Sequence, residues 1–165
     1  MDNLVKFKLL HPSATLPKRG TDGSGGFDFF VPEDGELAPG EKKLISSGVA
    51  HDLPPSIYLQ SLIPDEFGNS RKTHIEVRIQ GILFDRSGLG SKKGIRLSFT
   101  GLIDNDYRGE IKLSMENVGK EPFSWKSGER LCQIGYALLY AGDAVHTDAL
   151  VETARGAGGF GSTGR

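Results

Sequence analysis

The sequence is poor in the features that would announce several common protein classes. It has one cysteine, Cys132, in 165 residues, so no intramolecular disulfide framework exists and a reducing compartment such as the cytoplasm is expected. Its four histidines, His11, His51, His74 and His146, lie far apart, and with a single cysteine they give no zinc-ligand spacing. An excess of either charge is missing: 20 Lys and Arg against 21 Asp and Glu leave a net charge of −1. A broad basic face for nucleic acid is therefore not expected. No apolar run approaches the ~18 residues of a membrane-crossing helix, and the opening Met1-Asp-Asn-Leu-Val-Lys lacks the apolar stretch of a signal peptide. Neither nucleic acid nor membrane is expected as a partner. Helical periodicity is absent too, and no internal repeat or linker divides the chain.

What is present is punctuation. Twenty-three glycines and 8 prolines break the chain into short apolar or alternating pieces. Strands are expected at Leu4-Val-Lys-Phe-Lys-Leu-Leu, Phe27-Asp-Phe-Phe-Val, Lys43-Leu-Ile-Ser-Ser-Gly-Val-Ala, Ile57-Tyr-Leu-Gln-Ser-Leu-Ile, Ile75-Glu-Val-Arg-Ile, Phe123-Ser-Trp and Leu131-Cys-Gln-Ile-Gly-Tyr-Ala-Leu-Leu-Tyr. The polar stretch from Pro64 to His74 reads as a loop. Ile95-Arg-Leu-Ser-Phe and Glu110-Ile-Lys-Leu-Ser-Met both alternate with period two and read as a β-hairpin with its loop at Asp104-Asn-Asp. The expected fold class is all-β, a barrel or jelly-roll-like double sheet. Residues 1–152 form the domain, and the Gly-rich residues 153–165 form a flexible C-terminal arm with too little apolar surface to fold alone.

Five pieces join small residues to a group able to hold phosphate or metal. Gly25-Gly-Phe-Asp28 places a carboxylate after two glycines, which by itself is an ordinary turn. Asp85-Arg-Ser-Gly-Leu-Gly90 offers backbone N–H groups beside a guanidinium, an anion-binding nest or a plain turn. Asp104-Asn-Asp-Tyr-Arg-Gly-Glu110 sets three carboxylates and a tyrosine at a turn, where Asp104 could orient or deprotonate a water. Gly128-Glu-Arg-Leu-Cys-Gln133 puts a polar Gln133 in an apolar strand, where it needs partners. Arg155-Gly-Ala-Gly-Gly-Phe-Gly-Ser162 reads either as a frayed end or as an arm that closes over an anion, with arginine for charge and phenylalanine to stack on a base.

Together, and in this order, these pieces resemble the five motifs of the trimeric dUTPase family, from about Lys6 to the C-terminus. The resemblance implies a jelly-roll-like β-barrel subunit, a homotrimer with active sites shared between subunits, and a C-terminal arm that covers a site formed by other chains. It implies hydrolysis of dUTP to dUMP and pyrophosphate by water attack on the α-phosphorus, which keeps uracil out of DNA and supplies dUMP for thymidylate synthesis. Carried across by position, Asp104 holds the sugar 3′-hydroxyl and the attacking water. Gln133 reaches the α-phosphate region and the same water. Arg86, Ser87 and Gly88 bind phosphates, Tyr107 packs under the deoxyribose, and backbone groups near Gly101 and Ile103 read uracil. Phe160 stacks on the base while Arg155, Gly161 and Ser162 close on the γ-phosphate. Asp28 holds Mg²⁺ indirectly, through its waters. The implied location is the cytoplasm, or that of the host cell for a viral member.

Three departures from the family pattern stand out. Ser98 occupies a position where the family has an asparagine facing uracil. Asp85 replaces the usual proline before Arg86. Thirty residues separate Pro55 from Arg86, and the surplus near 65–79 reads as an added hairpin or arm, either a surface elaboration or an arm that binds a protein partner or stabilises the trimer. The related dCTP deaminases share an Arg-Ser motif but differ at the central motif, where this chain has Ile103-Asp104 and Tyr107. A binding module that keeps the fold and acts on a protein partner is the alternative from another class.

Overall fold

The computed structural model describes residues 5–64, 69–99 and 101–158. These form twelve strands and one short helix: β1 Lys6–Leu9, β2 Gly26–Phe30, β3 Gly35–Leu37, β4 Lys42–Ile45, β5 Val49–Asp52, β6 Ile57–Pro64, β7 Ser70–Asp85, α1 Ser87–Lys93, β8 Ile95–Leu97, β9 Leu102–Ile103, β10 Leu113–Asn117, β11 Phe123–Trp125 and β12 Arg130–Tyr140. The largest sheet has the order β2-β12-β7-β6, with β9 added to β7. Smaller sheets are β4-β10-β8, β1-β5 and β11-β3. Every named pairing is antiparallel. The fold is all-β and jelly-roll-like, and the pairings among the described residues do not close into one continuous barrel.

One core joins these sheets. Phe29, Val31, Leu37, Val49, Leu83, Ile95, Ile111, Leu113, Met115, Leu131, Cys132 and Ile134 are all buried and belong to a single apolar cluster. Burial of this kind, at about 25 cal/mol per Å² of apolar surface, is the main favourable term holding such sheets together. Buried surroundings and the carboxylates of Asp85 and Asp28 push the Cys132 thiol far above its ordinary range. No helix among the described residues is long and apolar enough to cross a membrane.

The structure differs from the sequence reading in several places, among them an unexpected short strand at β3. The segment from Lys43 to Ala50 is two strands: Gly48 adopts φ +66°, and a side chain there would meet Ala14 and His11 at 2.9 Å, so the chain turns at this glycine. Ser70 to His74 is strand rather than loop, because β6 and β7 pair from Ile57↔Val77 out to Pro64↔Ser70. The surplus near 65–79 is thus largely the outer part of a long hairpin, with Asp65 to Gly68 outside the described residues. The expected hairpin of residues 95–115 holds as the β8–β10 pair. Its connection is not a tight loop, since it carries β9 across to β7 and places Asp104 beside a different sheet. Finally, Ser87–Lys93 is helical and ends at Gly94 with φ +68°.

Candidate functional site

Strand pairing gathers the first, second and fourth motifs at one place. Gln133 lies directly across from Asp28 in the β12–β2 register and across from Phe84 in β12–β7. β7 ends at Asp85, so Arg86 and the start of α1 arrive beside the same two residues. Asp28, Arg86, Ser87, Gly88, Leu89 and Gln133 line a cavity of about 270 Å³. The leading N–H groups of a helix have no intrahelical partner, so Ser87 and Gly88 bring backbone donors to its wall.

The electrostatics of this cavity centre on Asp28. One of its carboxylate oxygens lies 3.3 Å from Arg86 Nε and the other 2.8 Å from Arg130 Nη1. Arg86 Nη1 also donates to the Arg130 carbonyl at 3.0 Å. Arg130 was not singled out in the sequence beyond its place in the fourth motif. Its signal was its position three residues before Gln133, which a β-bulge between Arg130 and Cys132 converts into contact with the same aspartate. Gln133 Nε2 donates to the Asp85 carbonyl at 3.1 Å. The Asp85 side chain, unusual at this position, accepts the Leu97 N–H at 2.5 Å and so ties the end of β7 to β8.

The third motif builds a second cavity. Asp104, Asn105 and Asp106 line it together with Pro55, Ser56, Arg78 and Gln80, enclosing about 360 Å³. The turn is pinned from several sides. Asn105 Nδ2 donates to the carbonyls of Pro54 and Ile79 at 2.9 and 3.0 Å. Arg108 pairs with Asp52 at 2.9 Å and donates to the Asn105 carbonyl at 2.6 Å. The Tyr107 hydroxyl donates to the Glu110 carbonyl at 3.0 Å. Glu110 itself accepts the Gly48 N–H at 2.8 Å and the Ser46 hydroxyl. Asn105 and Glu110 therefore brace the turn, roles the sequence reading did not assign; a polar side chain inside a turn is their only sequence signal.

The remaining expected residues fall as follows. The Gly101 carbonyl accepts the Leu83 N–H at 3.3 Å, and Ile103 pairs with Gly81. Ser98 lines neither cavity; its hydroxyl donates to the Ser114 carbonyl at 3.2 Å and lies 2.5 Å from the Ser114 hydroxyl. Arg155 is exposed and donates to the Gly158 carbonyl at 2.8 Å, a bond within its own segment. Phe160, Gly161 and Ser162 lie outside the described residues. Among the described residues no group of three or more His, Cys, Asp or Glu is placed to hold a metal ion. Asp28 already faces two guanidinium groups, so it fits an outer role through waters better than direct ligation.

This chain resembles proteins of one kind throughout its length. Residues 68–164 match the family model described as dUTPase. It is 37% identical over 170 residues to the deoxyuridine 5'-triphosphate nucleotidohydrolase of Wolinella succinogenes, covering 100% of this chain and 99% of that one. It is 39% identical over 162 residues to the protein of the same name from Nautilia profundicola, covering 98% and 99%. Among solved structures, a variant of the Staphylococcus bacteriophage 80alpha dUTPase with dUpNHpp superposes with a TM-score of 0.79 at 23% identity, covering 99% of each chain. The dUTPase of S. aureus phage phi11, solved to visualise its species-specific insert, gives 0.71 at 21% identity, covering 90% of this chain and 98% of that one. With the ordered motifs, the all-β fold and these relatives in agreement, the chain belongs to the dUTPase family.

Proposed function

We propose that the two cavities are complementary parts of one dUTP site, brought together between subunits of a homotrimer. The observation that carries this reading is their separation within one chain. The cavity of Asp28, Arg86, Ser87, Gly88 and Gln133 brings a guanidinium and backbone donors suited to phosphates, while the cavity of Asp104 holds that carboxylate with Asp106 and Arg78 and no phosphate-binding loop. Exposed apolar side chains support assembly: Leu138 and Tyr140 on β12, 51% and 74% exposed, share one face of the sheet through their pairing with Ile79 and Val77, and exposed apolar surface of this kind marks contact faces.

In this reading the enzyme hydrolyses dUTP to dUMP and pyrophosphate. A triphosphate carries roughly four negative charges, which Arg86 and backbone donors at the start of α1 offset as charge builds on the leaving pyrophosphate. Arg86 leaves Asp28 for the phosphates, and Arg130 keeps Asp28 paired. Asp104 orients a water toward the α-phosphorus and holds the sugar 3′-hydroxyl. As the water's oxygen bonds to phosphorus, the bond to the bridging oxygen breaks and pyrophosphate departs. Gln133 steadies the α-phosphate, Tyr107 packs under the deoxyribose, and orientation supplies much of the rate gain. Backbone groups near Gly101 and Ile103 read the base, with Ser98 held back by Ser114. The arm carrying Arg155, Phe160, Gly161 and Ser162 closes over the triphosphate. Magnesium, when bound with the nucleotide, supplies further charge neutralisation, with Asp28 holding its waters.

The test is pyrophosphate release from dUTP, dTTP, dCTP and UTP, with Asp104→Asn as control. Turnover confined to dUTP and lost in Asp104→Asn supports the reading. Undiminished turnover by that variant, or ammonia release from dCTP, refutes it.

A further inference from the structure

His51 is 2% exposed and stands in β5 opposite Phe7 of β1. Its Nδ1 lies 3.1 Å from the Tyr136 hydroxyl of β12. Its Nε2 is buried without a hydrogen-bond partner among the described residues. Such an unsatisfied group is costly, and its retention calls for a reason. The Asp104 backbone carbonyl, which accepts the Tyr107 N–H at 3.1 Å, lies close enough to the imidazole to favour its protonated form. On another side, a β-carbon added at Gly81 would come within 3.3 Å of His51 Cε1 and 2.8 Å of Ile134 Cδ1. Gly81 is the residue that pairs with Ile103, immediately before Asp104. The imidazole thus abuts both the strand pair that delivers Asp104 and the turn that follows it.

We propose that His51, held by Tyr136, is a positioning residue for Asp104: it backs the turn from inside the fold and fixes where the Asp104 carboxylate stands, without touching substrate. This rests on the assignment of Asp104 given above. A Tyr136 hydroxyl donating to Nδ1 leaves the ring hydrogen on Nε2, which is buried and makes no hydrogen bond among the described residues. The ring works in its neutral form. Burial and the Arg108 guanidinium oppose a proton on it, outweighing the Asp104 carbonyl and the Asp52 carboxylate, which favour one. Lys6 and Lys8 of β1 line a cavity of about 370 Å³ together with His51, Asp52 and Arg108. Tyr136 stays protonated, since burial raises its phenol well above the usual range.

The experiment is steady-state dUTP hydrolysis by the full chain, comparing wild type, Tyr136→Phe, His51→Phe, His51→Gln and Asp104→Asn. Displacing a reacting group by a fraction of an ångström to an ångström costs on the order of ten- to a hundredfold. Tyr136→Phe and His51→Phe are each expected to lower kcat about tenfold with KM changed less than about twofold. His51→Gln, which keeps an amide donor, is expected to recover part of the loss. Combining Tyr136→Phe with His51→Phe should cost no more than His51→Phe alone, since the two act as one unit. Wild-type kcat in Tyr136→Phe and His51→Gln, with Asp104→Asn inactive, overturns the positioning role and leaves Asp104 in place. A raised KM at unchanged kcat also overturns it, because that would assign His51 to binding. Full turnover by Asp104→Asn instead defeats the assignment of Asp104 itself. Should His51→Phe fail to fold, Tyr136→Phe, which removes one oxygen atom, decides alone.

Discussion

Asp28 and Gln133 are cross-strand partners in the β2–β12 register, and that pairing makes one chemical unit of two motifs more than a hundred residues apart. Asp28 is met there by Arg86 and Arg130, while Asp104 lines a different cavity. If a working site takes its phosphate-binding part from one subunit and Asp104 from another, two defective chains can complement each other. Arg86→Ala and Asp104→Asn should each be nearly inactive alone. Refolding them together at equal amounts should restore about a quarter of the wild-type sites by random assortment. Mixed samples with no more activity than either parent would place both residues in the same chain's site.

The Asn105 amide holds Pro54 and Ile79 at once. Asn105→Ala leaves two carbonyls without that donor and should cost about 1–3 kcal/mol in denaturant unfolding. Faster amide exchange should appear in the Asp104–Arg108 turn. Asn105→Asp should be at least as damaging, because it replaces the donor with an acceptor.

Asp85→Ala removes the acceptor of the Leu97 N–H and is expected to lower stability by about 1 kcal/mol. Asp85→Asn, which retains a carbonyl oxygen at that place, should lose less. Thermal melting of the three proteins at one pH distinguishes them.

His51 sets a direction for the pH dependence of stability. Its folded pKa lies below its ordinary value of 6.5, chiefly through burial. The unfolded chain therefore binds more protons at this position over the interval between the two values. Stability contributed by the neutral imidazole is complete above pH 6.5 and declines as pH falls below it, until the folded value is reached. His51→Gln should flatten this decline as the pH falls below 6.5. The Glu116 carboxyl, held below its ordinary 4.5 by Arg96 and Lys42, acts only at lower pH and should leave that interval unaffected. An unchanged slope in His51→Gln would contradict the assignment.

The outer β6–β7 hairpin lies outside both cavities. Because Ser61 stands opposite Thr73, replacing residues 62–72 by a two-residue turn preserves the inner register. Such a variant is expected to hydrolyse dUTP like the parent. Loss of binding to a protein partner with hydrolysis intact would give the hairpin a separate role.

The sequence showed most strands because their apolar residues alternate or cluster, as at Phe27, Phe29 and Val31. Ser70 to His74 escaped notice because these residues are polar and lie beyond the core, where the partner strand rather than burial keeps them extended. The helix after Arg86 was hidden by two glycines in seven residues and by its lack of a buried face. Within the candidate site, the motifs singled out Asp28, Arg86, Gln133 and Asp104. Their division between two cavities depends on β9 crossing to β7, a long-range pairing that local periodicity does not encode. Arg130, Asn105 and His51 were illegible for the same reason: each acquires a partner from a distant strand, Asp28 of β2, Ile79 of β7 and Tyr136 of β12.

Cys132 sits in β12 immediately before Gln133, wholly buried and with its thiol held protonated. Thiol reagents attack the thiolate, so the closed molecule should resist them. Labelling would then proceed only as fast as β12 detaches from its neighbours, making this lone sulfur a clock for the opening of the strand that carries Gln133. Nucleotide that bridges β12 and the start of α1 should slow that clock.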